Sequence, residues 1–502
     1  MLTEPNVPAA TVAAPQVPTG KRFLWGLGGF TDCLAYNGLN GLVDQVYCIA
    51  MGMSPTAIGL ARSIPRFADL ITDPVIGHLS DNTRSRWGRR RPWMLVGALL
   101  VALIAVLMWY PPLRFGPGVA NAYVVTMMVI LFTFGYSLFT IPYTAQGYEL
   151  STDYNERTHI FQWRQYAFAA TGFVTPWLPL LCLKLDLVGG APAAKGAVGI
   201  HWVSFGVAAM LLLTACGPIF GCPEGSGQRN DKKVRFADAI RFTLKNRAFW
   251  PLVASNFLVK FGMQITGIFF YYLMIYHMSG SNMEKGAAQW GIFCNAINIA
   301  TVIAMAPVVK LTDKLGKKPA LALLMLASVL TYASVWFTVR PQTAGWVLDF
   351  SSFFQHALHV PQIVAEGWPS LVTAAAIGIC CNAMPLIMNS MLADVCDVDE
   401  LYSGHRREAF YGATFVTCDK IAMAVAMFLQ GVLLSASGFR SQLNAQAPET
   451  IAYWMKALLL TQPTGFLLGF ACIMFYPITR DRALDVRRQL DERIANHGTP
   501  QS

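Results

Sequence analysis

Charge is what this sequence has least of. Only 13% of its 502 residues are Asp, Glu, Lys or Arg, against roughly a quarter in soluble proteins. That scarcity excludes the three or four water-soluble domains the length would otherwise suggest. The 11 cysteines contain no C-x-x-C pair and mostly sit inside apolar runs, so neither a zinc site nor a disulfide framework is indicated. The first twenty residues hold Glu4 and four prolines but no basic cluster ahead of the apolar run. They lack the build of a cleaved signal peptide and are expected to form a flexible tail. Lys and Arg outnumber Asp and Glu by 38 to 28, yet the excess is scattered over short loops instead of one face, so no nucleic-acid partner is expected.

What is abundant is apolar. Hydrophobic residues make up 54% of the chain and mean hydropathy is +0.43, which excludes both disorder and a single anchor carrying a large aqueous domain. Crossing a bilayer takes roughly 20 apolar residues. Apolar spans lie near 23–49, 56–80, 92–111, 119–148, 158–183 and 198–221, and again near 249–278, 286–309, 319–339, 368–391, 409–435 and 454–478. The pattern predicts an all-α membrane protein of twelve transmembrane helices in two pseudo-symmetric six-helix bundles. The corresponding segments are a cytoplasmic tail at 1–22, a bundle at 23–222, a cytoplasmic linker at 223–247, a second bundle at 248–479 and a cytoplasmic tail at 480–502. Within the linker Phe236, Ile240 and Leu244 recur every four residues, which allows either an amphipathic helix on an anionic membrane face or a solvated connection. Of the 38 basic residues, 26 fall in the loops that share a side with the termini, seven on the opposite side and five inside spans. Positive loops stay inside, so both termini are expected in the cytoplasm.

The two halves repeat a loop. Asp81, Gly88, Arg89, Arg90, Arg91 and Pro92 follow the second span, and Asp313, Gly316, Lys317, Lys318 and Pro319 follow the eighth. Gly permits a tight turn, Pro suits the first turn of the next helix, and Asp can neutralise the cations or cap a helix end. Parallel repeats of six helices point to a transporter of the major facilitator type, with its path between the halves.

An ionisable side chain at bilayer depth costs at least about 2.5 kcal/mol and is normally turned inward. Arg62, Arg66, Asp69 and Asp73, spaced by 4, 3 and 4, fall on one face of the second helix, within a stripe roughly 60° wide. Two carboxylates one turn apart repel when both are ionised, and a proton, a sodium ion or a basic partner relieves that repulsion. The stripe therefore reads either as a cation-coupling site or as an internal ladder of ion pairs. Asp32, Tyr36, Asn40 and Asp44 form a second polar stripe, on the first helix; it lines a solute path or bonds helix to helix. Arg164 and Lys420 are solitary intramembrane cations, one per half, although Asp419 next to Lys420 could neutralise it. Lys260 is set aside as a residue that snorkels or pairs. The charged stretches after helices four and ten, with the repeated loops, supply candidates for a cytoplasmic gate of ion pairs: Asp81, Arg89, Arg90, Glu149, Asp313, Asp394 and Arg406. Static neutralisation of the loops is the competing reading.

Phe67, Asp69, Asp73, Pro74 and Gly77, running into Asp81, Arg84, Trp87, Gly88 and Arg89, resemble the glycoside-pentoside-hexuronide cation symporters of the major facilitator superfamily, the melibiose permease-like family. Asp394, Asp397, Arg406, Arg407, Phe410, Tyr411 and Gly412 match its pattern after helix ten. The resemblance covers roughly residues 22–480. It implies that Asp69 and Asp73 bind the coupling cation with the Ser137 hydroxyl, and that Arg164 and Lys420 match cations near the sugar and the coupling site. Where the melibiose permease has an acidic residue and a tryptophan in helix four, this chain has Thr140 and Thr144 around Tyr143. Its helix-one carboxylate, Asp32, stands one residue early and is rotated by about 100°. Both departures speak against a galactoside. Candidate solute-binding residues are Asp32, Tyr36, Thr140, Tyr143, Thr144, Arg164 and Lys420.

The expectation is therefore a secondary transporter that acts as a monomer in the cytoplasmic (inner) membrane. It would carry a sugar or glycoside together with H+ or Na+ by alternating access, with no cofactor beyond the coupling ion and no metal beyond a coupling sodium at Asp69 and Asp73. A carrier of lysolipids or other amphiphiles is the alternative within the superfamily. A polytopic membrane enzyme would need paired acidic motifs for magnesium or a His–Asp pair at acyl-transfer spacing, and neither spacing is convincing. A sensor that binds solute without moving it is the third class.

Overall fold

The structure is a computed structural model; it describes residues 17–150, 154–189, 195–222, 246–340, 361, 367–403 and 408–497. Twelve membrane-crossing helical segments run through these residues: α1 (19–50), α2 (Pro55–Asn82), α3 (Arg91–Leu107), α4 (117–149), α5 (154–188), α6 (Gly199–Gly221), α7 (Phe249–Met278), α8 (Met283–Leu315), α9 (Lys317–Thr338), α10 (368–403), α11 (Glu408–Ala436) and α12 (Pro448–Met474). Nine of the described segments, α4 to α12, have the length and apolarity to cross a bilayer by composition alone. The other three fall short for visible reasons. The helix α2 carries the four-residue charged stripe, α3 has 17 residues, and α1 contains both charge and two π-helical turns at Leu34–Gly38 and Asp44–Ala50. The helices α4 and α7 carry π turns as well, at Ile130–Tyr136 and Leu273–Met278. Such turns inside long helices often mark functional positions.

Helix neighbours reveal the internal symmetry. In the first half α1 packs on α5 and α6, α3 on α6, and α4 on α2 and α3; in the second, α7 packs on α11 and α12, α9 on α12, and α10 on α8 and α9. Adding six to each label turns one set into the other. The two main contacts between the halves, α2 with α11 and α5 with α8, are exchanged by the same operation. The apolar interior divides in the same way: one core is built from α1 to α6, and a larger one almost wholly from α7 to α12.

The halves are drawn together at the end of the bundle away from the termini. There Thr56 Oγ1 donates to Ser435 Oγ at 2.7 Å, and Arg62 reaches Gln430 at 3.3 Å. Lys184 pairs with Glu284, and Lys195 donates to Ser441 O at 2.9 Å, while nearer the middle of α8 and α5 Asn298 donates to Gly172 O at 2.9 Å. Small residues let the backbones meet. A Cβ built on Gly431 would lie 2.3 Å from Pro55 O and 3.0 Å from Gly59 Cα. The path between the halves is closed at this end.

Residues 480–502, expected to be a tail, contain a further helix, α13 (Arg480–His497). Val486 and Leu490, one turn apart, bury against Leu401 of α10. The Phe236, Ile240 and Leu244 pattern lies outside the described residues.

Candidate functional site

Three of the four charged groups of the α2 stripe are buried, Arg62 at 8% exposed, Arg66 at 4% and Asp69 at 2%, and Asp73 is half-buried. Taking such groups out of water costs several kcal/mol per ion unless each finds a partner, and each does. Arg62 Nη1 donates to Asp44 Oδ2 of α1 at 2.5 Å, and Arg66 Nη1 to Asp69 Oδ2 at 3.0 Å. The Arg66 guanidinium also lies over the Tyr36 and Phe132 rings, 4.5 and 4.8 Å from their centroids, a favourable use of a desolvated cation. Asp73 accepts from Ser137 Oγ of α4 at 3.0 Å and from Lys420 Nζ of α11, so the Asp73–Lys420 pair joins the halves. Asp419 is held by Asn256 of α7, and Lys420 turns to Asp73 instead. The stripe forms a ladder of ion pairs, and part of it, Arg66, Asp69 and Asp73, lines a cavity.

That cavity, of about 270 Å³, is walled by Arg66, Asp69, Asp73, Ser137, Thr140 and Lys420, with Tyr36 and Met423 at one side. Asp69 Oδ1 is buried there with no hydrogen-bond partner. A buried carboxylate oxygen without a donor is costly, and a cation is its natural partner.

The other candidates for solute binding separate into two groups. Asp32 is 1% exposed and fully engaged behind the cavity wall, taking Arg164 Nη2 at 2.7 Å and Thr140 Oγ1 at 3.0 Å. Arg164 is thereby drawn to Asp32, while Thr140 lines the cavity. Tyr143 is turned away from the cavity: its ring stacks on Trp25 at 4.8 Å and Phe139 at 5.6 Å, and its hydroxyl donates to Trp25 O at 3.1 Å. Thr144 is part-buried on the same helix and lies neither on this cavity's wall nor on that of the second cavity described below.

The gate candidates pair within their own halves. Arg90 bridges Asp81 at 2.7 Å and Glu149 at 2.8 Å, and Arg89 also pairs with Glu149. In the second half Lys317 pairs with Asp394 at 2.6 Å, and Asp313 lines a cavity of about 720 Å³ between that loop, α10 and α13. Arg406 lies outside the described residues. The equivalence is close, since each loop folds back onto the fourth helix of its own half. In this state these pairs brace each half, and the contacts that close the path lie at the opposite end.

A second cavity, also about 270 Å³, lies between the first cavity and the closed end. Its lining includes Asn37, Asn40, Gln264, Tyr271, Trp290 and Gln430, and it shares Tyr36 and Met423 with the first cavity. The sequence pattern singles out Asn40 but not the wall from α7, α8 and α11, because these helices present it without charge. The signal is periodicity: Gln264 and Tyr271 are seven residues apart, two turns along one helix face.

Residues 24–480 match the family described as MFS/sugar transport protein. An uncharacterized symporter of Synechocystis sp. is 24% identical over 97% of this chain and 99% of its own. The isoprimeverose transporter of Lactiplantibacillus pentosus is 22% identical over 94% of this chain and 91% of its own. Among solved structures, a bacterial homolog of the human lysosomal transporter Spinster, inward-facing and unoccupied, superposes with a TM-score of 0.61 at 13% identity, over 95% of this chain and 99% of that one. Fold and relatives alike are those of transporters and not of enzymes. A match spanning nearly the whole membrane portion, on a twelve-helix fold with internal two-fold symmetry, makes this chain a member of the MFS/sugar transport protein family.

Proposed function

We propose that the protein couples the movement of a small polar solute, a sugar or glycoside, to a cation gradient by alternating access, working as a monomer in the inner membrane. The observation that carries this reading is the Lys420 ammonium docked on Asp73, beside the Ser137 hydroxyl and the unpartnered Asp69 oxygen. A bound cation, H+ or Na+, and the lysine then compete for one carboxylate. Positive-inside orientation places the termini in the cytoplasm, so the path closed at the far end belongs to an inward-facing carrier that has released its cation. With Lys420 on Asp73, the empty carrier moves no unpaired carboxylate through the bilayer centre, which is expensive. When a cation takes Asp73, the lysine is displaced and the tie between the halves is lost until solute replaces it. Cation and solute thereby favour one another's binding, and this reciprocity is the basis of coupling.

The relatives named as a symporter and as an isoprimeverose transporter support both parts of the proposal. The test is uptake into liposomes containing the purified protein, using a panel of labelled mono- and disaccharides with imposed sodium or pH gradients. Uphill accumulation that follows one gradient is expected. Uptake that only equilibrates, whatever gradient is imposed, would overturn the proposal.

A further inference from the structure

We infer that the solute occupies the second cavity, between α1 and α2 of one half and α7, α8 and α11 of the other, and that it is an uncharged sugar ring. This deepens the proposed function and rests on it. Chemistry sorts the two cavities. The first is walled by carboxylates and cations. In the second, the charged groups Asp44 and Arg62 neutralise one another at 2.5 Å, with Arg62 also donating to Gln430. What remains is uncharged: amides, aromatic rings and the apolar side chains of Ile268, Met423 and Met427. Trp290 and Tyr271 stand edge to face with centroids 5.7 Å apart, giving an apolar corner for the face of a pyranose. Tyr271 is 7% exposed, and its hydroxyl is buried with no hydrogen-bond partner. Asn37 and Asn40 donate through their nitrogens to Cys33 Sγ at 3.3 Å and Tyr36 O at 2.8 Å, which leaves their oxygens as acceptors for solute hydroxyls. An apolar site with a few convergent polar groups is the general form of a small-molecule pocket.

Charge and size narrow the ligand further. A uronate would need a free cation here, and Arg62 is already held by Asp44. At about 270 Å³ the space falls just below the roughly 300 Å³ floor for drug-sized ligands, which suits one ring with a small substituent. Between the two cavities, Tyr36 Oη donates to Met423 Sδ at 3.8 Å. One residue from each half thus forms a thin wall between solute and coupling cation.

Counterflow exchange by the full-length protein in liposomes tests this, with labelled D-xylose, methyl β-D-xyloside, D-glucose, maltose and D-glucuronate as probes. Exchange of a neutral single ring is expected. Trp290→Ala and Gln264→Ala should each raise its KM by roughly tenfold, the scale of one lost contact, and leave the cation dependence at saturating solute unmoved. Trp290→Phe, which keeps a ring and guards against misfolding, should recover most of the loss. Exchange of glucuronate alone, of maltose in preference to single rings, or of none of the probes overturns the assignment. An unchanged KM in both alanine variants overturns it too, while the coupling proposal stands if accumulation still follows an ion gradient. Shifted KM values without any gradient-driven accumulation would do the reverse: the cavity assignment stands and coupling fails.

Discussion

Asp69 and Asp73, one turn apart on α2, solve their repulsion differently. Asp69 draws on Arg66 of its own helix, and Asp73 on Lys420 of the other half. Asp69 keeps one oxygen without a donor, so Asp69→Asn should abolish uphill accumulation and spare counterflow exchange; equal loss of both would refute a role confined to coupling. Arg62 serves another purpose. Arg62→Gln leaves Asp44 as an uncompensated, largely buried carboxylate, which costs up to about 3–5 kcal/mol and should appear as a fall in Tm. The double variant with Asp44→Asn should recover most of it, and no recovery would mean that Arg62 stabilises by packing alone. At this scale the sequence is only partly legible. The spacing of intramembrane charges locates the coupling candidates, because charge at that depth is selected against unless used. It does not reveal that Arg164 and Thr140 enclose Asp32, or that Tyr143 is a packing residue, since those facts depend on contacts more than 100 residues apart.

Among the elements, α2 and α11 decide whether the far end is shut. Their contact depends on Gly59 and Gly431, where any side chain would collide with backbone. Gly431→Val should wedge the helices apart, slow transport at least roughly tenfold for a closure weakened by over 1.4 kcal/mol, and expose a thiol introduced at Gln430, which is only 4% exposed in the closed state, to an impermeant maleimide. Unchanged labelling would place the gate elsewhere. The helices themselves are legible from apolar runs, including α1 to α3, whose charge or brevity defeats a composition threshold. The wall of α7 and α8 is not, because Gln264, Tyr271 and Trp290 are ordinary residues for a membrane helix and only the fold shows what they face. The C-terminal helix escapes a sequence reading for a related reason: its two apolar anchors, Val486 and Leu490, have meaning only opposite Leu401.

For the whole molecule, the repeat of the Asp–Gly–basic loop announces two equivalent halves, and the exchange symmetry of the α2–α11 and α5–α8 contacts realises it. The state of the molecule cannot be read in the same way. Inward- and outward-facing forms use the same helices and differ by a few contacts, so their balance is a small difference that no local pattern encodes. The Asp73–Lys420 pair ties the two halves in the empty carrier, and it carries the central claim that lysine and coupling cation compete for one carboxylate. The most direct test is the cation dependence of transport in Lys420→Gln, measured in liposomes at fixed solute. With its competitor removed, the cation should act at a concentration lower by roughly tenfold or more, the worth of about 1.4 kcal/mol. Net uptake should also slow more than exchange, because the empty carrier returns with an unpaired Asp73. A cation dependence identical to that of the unaltered protein would contradict the account.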